Sequence, residues 1–179
     1  EPACYMLDGQ SAKAGSLLDA LSELPTTRIP DETCGQSLLY SSGTTGRPKG
    51  VKKPLPPEAF GGPIPYFTAA EERYQFDEST IYLSPAPLYH AAPLGFTMNV
   101  LRFGGKLVVM EQVNEALALY YIDRYEITHS QWVPTMFVRM LKLPEDEKIK
   151  LLGTHHRCAV HAAAPCPVSI KRQMIDWWG

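Results

Sequence analysis

The sequence predicts an α/β protein with a mostly parallel sheet flanked by helices. Two observations carry that expectation. From residue 80 onward, short apolar runs alternate with amphipathic stretches of about ten residues, the order that builds a parallel sheet with helices packed on it. Pro and Gly stand at the joints, at Pro85, Pro87, Gly104, Gly105, Pro134 and Pro167. The chain has 179 residues, 45% of them hydrophobic, enough for one domain of moderate size with its own core.

Each element has its own local reason. Ser16 to Leu24 has helical spacing, with Leu17, Leu18, Leu21 and Leu24 on one side, and Pro25 ends it. Ser37 to Tyr40 is a short apolar run that reads as a strand. Lys52 to Tyr66 is too rich in Pro and Gly for a regular helix and reads as a surface connection, and residues 68–75 allow a short helix. Thr80 to Ser84 is the first strand of the regular part. A helix is expected from Gly95 to Phe103, stopped by Gly104 and Gly105, then a strand from Lys106 to Met110. Asn114 to Tyr125 reads as a helix and Thr128 to Val133 as a strand. Pro134 opens a helix to Leu143, placed where proline is tolerated. Arg157 to Ala162 is the last strand, and the last helix runs from Pro167 or Val168 to Trp178. Three stretches follow: a peripheral lead-in over residues 1–36, a loop-bearing stretch over 37–79, and a βα-repeat subdomain over 80–179.

Composition excludes several functions. A formal charge of −2 with no basic stripe argues against nucleic acid. No apolar run reaches the length of a membrane span, and the opening Glu1-Pro2-Ala3-Cys4 has no signal-peptide pattern. With no initiator Met, the chain reads as a piece of a longer protein. Cys4, Cys34, Cys158 and Cys166 form no CxxC pair and read as reduced thiols of a cytoplasmic protein rather than zinc ligands. His155-His156 reads as part of a polar loop, and Pro144 to Lys148 as a solvated charged turn. Met136, Phe137, Met140 and Leu141 form a helical apolar stripe that reads as core.

The chemistry concentrates in YSSGTTGRPKG, residues 40–50. The NTPase pattern G-x-x-x-x-G-K-[ST] fails here, because Lys49 lies between Pro48 and Gly50; the dinucleotide pattern G-x-G-x-x-G fails too. The means of holding phosphate are nevertheless present. Gly43 and Gly46 let the backbone approach an anion, and successive N–H groups in such a turn make an anion-binding concavity. The hydroxyls of Ser41, Ser42, Thr44 and Thr45 add donors, and Lys49 adds a point charge. A bare Gly/Ser/Thr turn with no ligand is the bland alternative.

The order of these residues, YSSGTTGRPKGV, resembles the signature of the AMP-forming adenylating superfamily of acyl-CoA synthetases, coumarate-CoA ligases, luciferases and peptide-synthetase adenylation domains. Downstream, Pro87-Leu88-Tyr89-His90 resembles the family's segment ending in a pocket histidine. Gly104 to Met110 resembles the strand that follows, Thr128 to Leu141 the valine-proline-threonine step from strand to helix, and Ala162-Ala163-Ala164-Pro165 the adenine-side loop. The resemblance covers residues 38–179, and its wording is most similar to bacterial fatty-acyl-CoA synthetases.

The resemblance implies an incomplete portion of the large N-terminal domain of an acyl-CoA synthetase, with ATP, Mg2+ and coenzyme A as co-substrates of the intact enzyme. It implies that a carboxylic acid, expected to be a fatty acid, attacks the α-phosphate of ATP, and that coenzyme A then takes the acyl group. In that reaction Ser41, Ser42, Gly43, Thr44, Thr45, Gly46 and Lys49 would cradle the leaving phosphates, while His90 would line the acyl side. Ala163, Ala164 and Pro165 would lie against the adenine. Trp132 is either core or acyl-pocket wall. No metal ligand is assigned within this chain. The family's Tyr-x-x-Thr-Glu motif, ribose-binding Asp and adenylation lysine are absent, so the isolated stretch is expected to be inactive. A carrier-protein-loading adenylation domain is one alternative, and a nucleotide-binding or interaction module without chemistry is another. Trp177-Trp178 is expected as an exposed patch suited to self-association or a homo-oligomer.

Overall fold

The structure is a computed structural model that describes residues 3–9, 11–41, 48–57, 59–62, 72–148 and 155–179. The chain divides into two compact units, residues 1–36 with 54–62, and residues 37–53 with 63–179. In the first unit, β1 (Tyr5–Met6) pairs in parallel with β2 (Gly15–Ser16), which leads directly into α1 (Leu17–Ser22). Ser16 caps α1, its side chain accepting the Asp19 N–H at 3.2 Å. The expected helix forms, but no residue of it is buried, and Leu18, Leu21 and Leu24 are exposed. The helix also stops at Ser22, three residues short of Pro25.

In the second unit, β3 (Leu39–Ser41) and β4 (Lys49–Val51) form an antiparallel hairpin, with Leu39 opposite Val51 and Ser41 opposite Lys49. Only the first of these strands is expected from sequence, starting two residues earlier. Residues 72–74 make one helical turn; the rest of the helix expected at 68–75 is outside the described residues up to 71. The remaining elements are β5 (Ile81–Ser84), α2 (Ala91–Arg102), β6 (Lys106–Val109), α3 (Glu115–Arg124), β7 (His129–Trp132), α4 (Pro134–Met140), β8 (Cys158–His161) and α5 (Val168–Trp178). The four strands β5 to β8 form one parallel sheet in the order β6–β5–β7–β8.

The termini of these helices follow local chemistry. α2 begins at Ala91, four residues before the expected Gly95, because Pro93 falls in the first turn, where backbone N–H groups have no intrahelical partner. Asn114 caps α3, its Oδ1 accepting the Leu117 N–H at 2.8 Å. α4 stops at Met140 rather than Leu143, and the Leu143 N–H closes a turn on the Met140 carbonyl at 3.1 Å. α2 ends in a left-handed Gly104 (φ 79°), with the Gly104 N–H on Leu101 and the Gly105 N–H on Val100. α3 ends the same way with Glu126 (φ 51°) in the left-handed position.

The sheet is covered on both faces. On one, Tyr82 of β5 packs against α2: its ring stacks on Phe96 with centroids 6.4 Å apart and meets Phe76 edge-on at 6.5 Å. Val100 completes that cluster. On the other face, Leu83 and Trp132 pack with Ala118, Leu119 and Ile122 of α3, Met136, Phe137 and Met140 of α4, and Met174 and Trp178 of α5. The expected core stripe of α4 is therefore in the core. The expected exposed tryptophan patch is not: Trp178 is buried and meets Trp132 at 5.6 Å and Phe137 at 5.9 Å, while Trp177 is half-buried.

Gly105 joins α2 to β6 where no side chain fits. A Cβ there would lie 2.7 Å from Val100 Cγ1 and 2.9 Å from the Thr80 carbonyl oxygen. That oxygen accepts the Lys106 N–H at 2.8 Å, so it cannot retreat without loosening the β5–β6 pairing. Gly105→Ala is expected to cost about 2–3 kcal/mol by overpacking, read as a lower urea midpoint at unchanged m-value.

Candidate active site at the strand ends

The strand order places a switch point between β5 and β7. The chain leaves β5 through α2 on one face, and returns from β6 to β7 through α3 on the other. In open parallel sheets, ligands bind at the carboxyl ends of the strands beside such a point. His90 follows β5 by six residues and is the residue from which α2 starts, with φ −82°. Its N–H donates to the Pro87 carbonyl at 3.2 Å, its side chain makes no cap hydrogen bond, and its exposed ring lies 4.4 Å from that of Tyr89. The imidazole therefore stands exposed at the positive end of a helix of 12 residues.

Ala162, Ala163, Ala164 and Pro165 follow β8. The Ala162 N–H donates to the Trp132 carbonyl at 3.1 Å and ends the ladder. Ala163 then takes a left-handed conformation (φ 73°), and Ala163, Ala164 and Pro165 are exposed. The small side chains leave backbone open to a flat ring, at the cost of a conformation that favours glycine. Trp132, at the end of β7, is 0% exposed and packs against Phe137 and Trp178. A wall residue of an open pocket keeps exposed surface; Trp132 keeps none and sits in the core.

The glycine-rich loop is the connection of the β3–β4 hairpin. Ser42, Gly43, Thr44, Thr45 and Gly46 lie outside the described residues, and of Ser41 only the backbone is described. The hairpin brings the two ends of the loop together by pairing Ser41 with Lys49. Lys49 is exposed, and Gly50 lies under the Tyr40 ring, where a Cβ would come within 3.1 Å of Cε1. The lysine is thus held at the root of the loop by backbone pairing, with its ammonium in solvent.

The model of the AMP-binding enzyme family matches residues 3–179. The chain belongs to this family. It is 30% identical over 135 residues, 75% of its length, to a 4-hydroxybutyrate–CoA ligase of Metallosphaera sedula, and covers 24% of that protein. It is 31% identical over 117 residues, 65% of its length, to a medium/long-chain-fatty-acid–CoA ligase of Mycobacterium tuberculosis, covering 19% of it. The chain spans between a fifth and a quarter of the length of these curated relatives, 19% and 24%. Its fold is similar to that of Bacillus subtilis o-succinylbenzoate coenzyme A synthetase in complex with ATP and magnesium ion, at a TM-score of 0.66 and 22% identity, over 92% of this chain and 34% of that one. Among the described residues of this family member, no three His, Cys, Asp or Glu side chains converge. No described helix is long and apolar enough to cross a membrane.

Two histidines, one buried and one half-buried, lie at the amino ends of β7 and β8, and sequence reasoning missed both. His129 is buried on β7; its Nε2 donates to the Tyr74 carbonyl at 2.9 Å, and its Nδ1 is 2.8 Å from the Thr128 hydroxyl. His156, expected in a polar loop, instead packs edge-on to Trp178 at 5.4 Å, with its Nε2 2.8 Å from Ser130 Oγ. Trp132 Nε1 donates to the same Oγ at 2.6 Å, so the Ser130 proton goes to a neutral His156. Burial, then the neighbouring His129 and His155, lowers the His156 pKa to about 4. Burial likewise lowers that of His129 and raises that of the Tyr82 phenol, which stays protonated.

A depressed histidine pKa has a definite sign. Below its ordinary value of 6.5, the unfolded chain binds a proton that the folded chain refuses. The stability contribution is complete above pH 6.5 and is lost as pH falls toward 4. His156→Gln is expected to flatten the stability–pH curve between pH 6.5 and 4, measured by urea denaturation across that window.

Proposed function

We propose that this chain is the phosphate-loop part of an AMP-forming acid–CoA ligase. The observation that carries the reading is the placing of His90 and the Ala163–Pro165 loop at the carboxyl ends of strands on the two sides of one switch point. The 4-hydroxybutyrate and fatty-acid ligases among its relatives support the acid and the acceptor as classes. The succinylbenzoate synthetase complex supports ATP and magnesium as its companions. A fatty acid is one candidate substrate and a short hydroxylated acid another.

In the first step a carboxylate oxygen attacks the α-phosphorus of ATP. The new C–O–P link forms as the bond to the β-phosphate breaks, and pyrophosphate leaves. Two anions approach each other, so cations and N–H donors must meet the charge as it moves. Lys49 and the Thr44–Thr45 hydroxyls supply these on the pyrophosphate side. His90, at the start of α2, faces the carboxylate side, and the exposed backbone of Ala163 and Ala164 receives the adenine. The protein positions the reactants and needs no nucleophile of its own. In the second step the thiol sulfur of coenzyme A attacks the acyl carbon and AMP leaves.

The test is acid-dependent exchange of labelled pyrophosphate into ATP by the full-length protein, with acids of graded length. Exchange that requires an acid supports adenylation, and thioester formation on adding coenzyme A, in place of a carrier protein, identifies the acceptor. A folded protein that binds ATP yet exchanges with no acid rejects the ligase reading in favour of a binding module.

A further inference from the structure

The charge of the chain is unevenly distributed. Its 17 Lys and Arg and 19 Asp and Glu leave −2 overall with histidine neutral. Residues 33–57 hold Arg47, Lys49, Lys52 and Lys53 and no Asp or Glu, so this stretch carries +4 and the rest of the chain −6. The stretch contains the β3–β4 hairpin, whose strands pair at the root of the glycine-rich loop. A polyanion is therefore repelled by most of the chain and drawn to one place on it.

Two of these cations have no role so far. Lys52 and Lys53 directly follow β4, and both are exposed. Neither has an ion pair among the described residues, where the salt bridges are Arg28–Glu32, Arg139–Glu115 and Lys148–Glu145. Leu39 faces Val51, and Leu38 and Ser37, next on that side of the hairpin, are uncharged. No acid on the hairpin therefore offsets the two ammonium groups. Four residues of chain reach at most about 14 Å, so the Lys53 Cα lies within that distance of the Lys49 Cα, and the Lys52 Cα lies closer. At such a range a charge acts through solvent, strongly at low salt and weakly once the screening length falls to about 3 Å.

We propose, resting on the ligase reading above, that Lys52 and Lys53 steer the triphosphate of ATP toward Lys49, and so govern capture of the nucleotide and not the chemical step. The two roles differ in kind. Lys49 is placed to meet charge as it moves in the reaction. Lys52 and Lys53 attract the triphosphate equally before and during the reaction, and an attraction of that kind raises kcat/KM for ATP without raising kcat. Charges at the rim of a binding surface act in this way, on the on-rate and on its dependence on salt.

The experiment is pyrophosphate exchange by the full-length protein between about 0.01 M and about 1 M salt, a range that shortens the screening length from about 30 Å to about 3 Å. In Lys52→Gln/Lys53→Gln, kcat/KM for ATP is expected to be about threefold to tenfold below the parent at low salt and within about twofold of it at high salt, with kcat and KM for the acid unchanged. Lys52→Arg/Lys53→Arg keeps the charge and is expected to keep the parent's salt dependence. Arg124→Gln/Lys142→Gln removes the same charge at the far ends of α3 and α4, which lead away from the carboxyl ends of the strands, and is expected to change little. The inference is overturned if the Lys52→Gln/Lys53→Gln protein keeps the parent's salt dependence, if it loses kcat instead, or if the Arg124→Gln/Lys142→Gln protein loses as much. Stopped-flow binding of a fluorescent ATP analogue to the same proteins reads the on-rate without turnover. A protein that exchanges with no acid rejects the ligase reading, while those on-rates still decide the steering. A folded protein that does not bind the nucleotide rejects both.

Discussion

Replacing Lys49 by Ala in the full-length protein is expected to lower acid-dependent pyrophosphate exchange by about 100-fold or more, the range seen when a charge-stabilising donor is removed from a reaction that moves charge. The prediction comes from its position. Lys49 is exposed and enters β4 directly opposite Ser41, at the root of the glycine-rich hairpin loop. Its backbone holds the hairpin, while its side chain has no ion pair among the described residues. Truncating the side chain should therefore leave the urea midpoint within about 0.5 kcal/mol of the parent. Loss of exchange at unchanged stability assigns an electrostatic role to the ammonium. Lys49→Arg is expected to recover little, because a planar fork does not replace a compact point charge. Full exchange in Lys49→Ala would remove the lysine from the reaction.

The second large effect is on folding. Trp132→Ala is expected to cost about 3–5 kcal/mol, the range for emptying a large buried aromatic site. The ring is fully buried against Phe137 and Trp178, and Nε1 donates to Ser130 Oγ, which also meets His156. The substitution removes packing and a hydrogen bond in one region where three elements meet. Urea denaturation measures the cost, and acid KM measured below the unfolding range separates the two readings of this residue. A large stability loss with little change in acid KM makes Trp132 core. A small stability loss with a large rise in acid KM makes it a pocket wall and contradicts the packing described here.

Much of the fold is legible locally. The strands at 81–84, 106–109, 129–132 and 158–161, and the helices between them, lie within a few residues of where apolar runs, Pro134, Asn114 and Gly104 put them. Such signals act over a few residues: a cap, a fixed proline φ, a glycine free to turn left-handed. The helix expected over the leucines of α1 forms, without a buried face, since spacing alone does not say whether another surface covers it. The start of α2 was misplaced because a proline in a first turn looks the same in sequence as one that breaks a helix.

The candidate site divides the same way. His90, Lys49 and the Ala163–Pro165 loop are proposed from turn residues and polar groups that gather in a recognisable order. The polar residues buried in β7 carry no such local signal. His-Ser-Gln-Trp of β7 reads as mostly polar, yet all four are buried, and His129 and Ser130 find their partners far away in the chain. His129 reaches Tyr74 across 55 positions, and Ser130 reaches His156 across 26.

By itself the sequence determined the α/β alternation, the element boundaries to within a few residues, and the family signature that points to adenylation. These are properties of neighbouring residues. Only the tertiary structure decided the strand order that makes a switch point, the burial of Trp178 and of His129, and the partners of His156. It also decided which face of the sheet carries Tyr82, Ser84 and Gln131. Those outcomes depend on pairing register and on contacts between distant segments, where a shift of one residue turns every side chain to the opposite face.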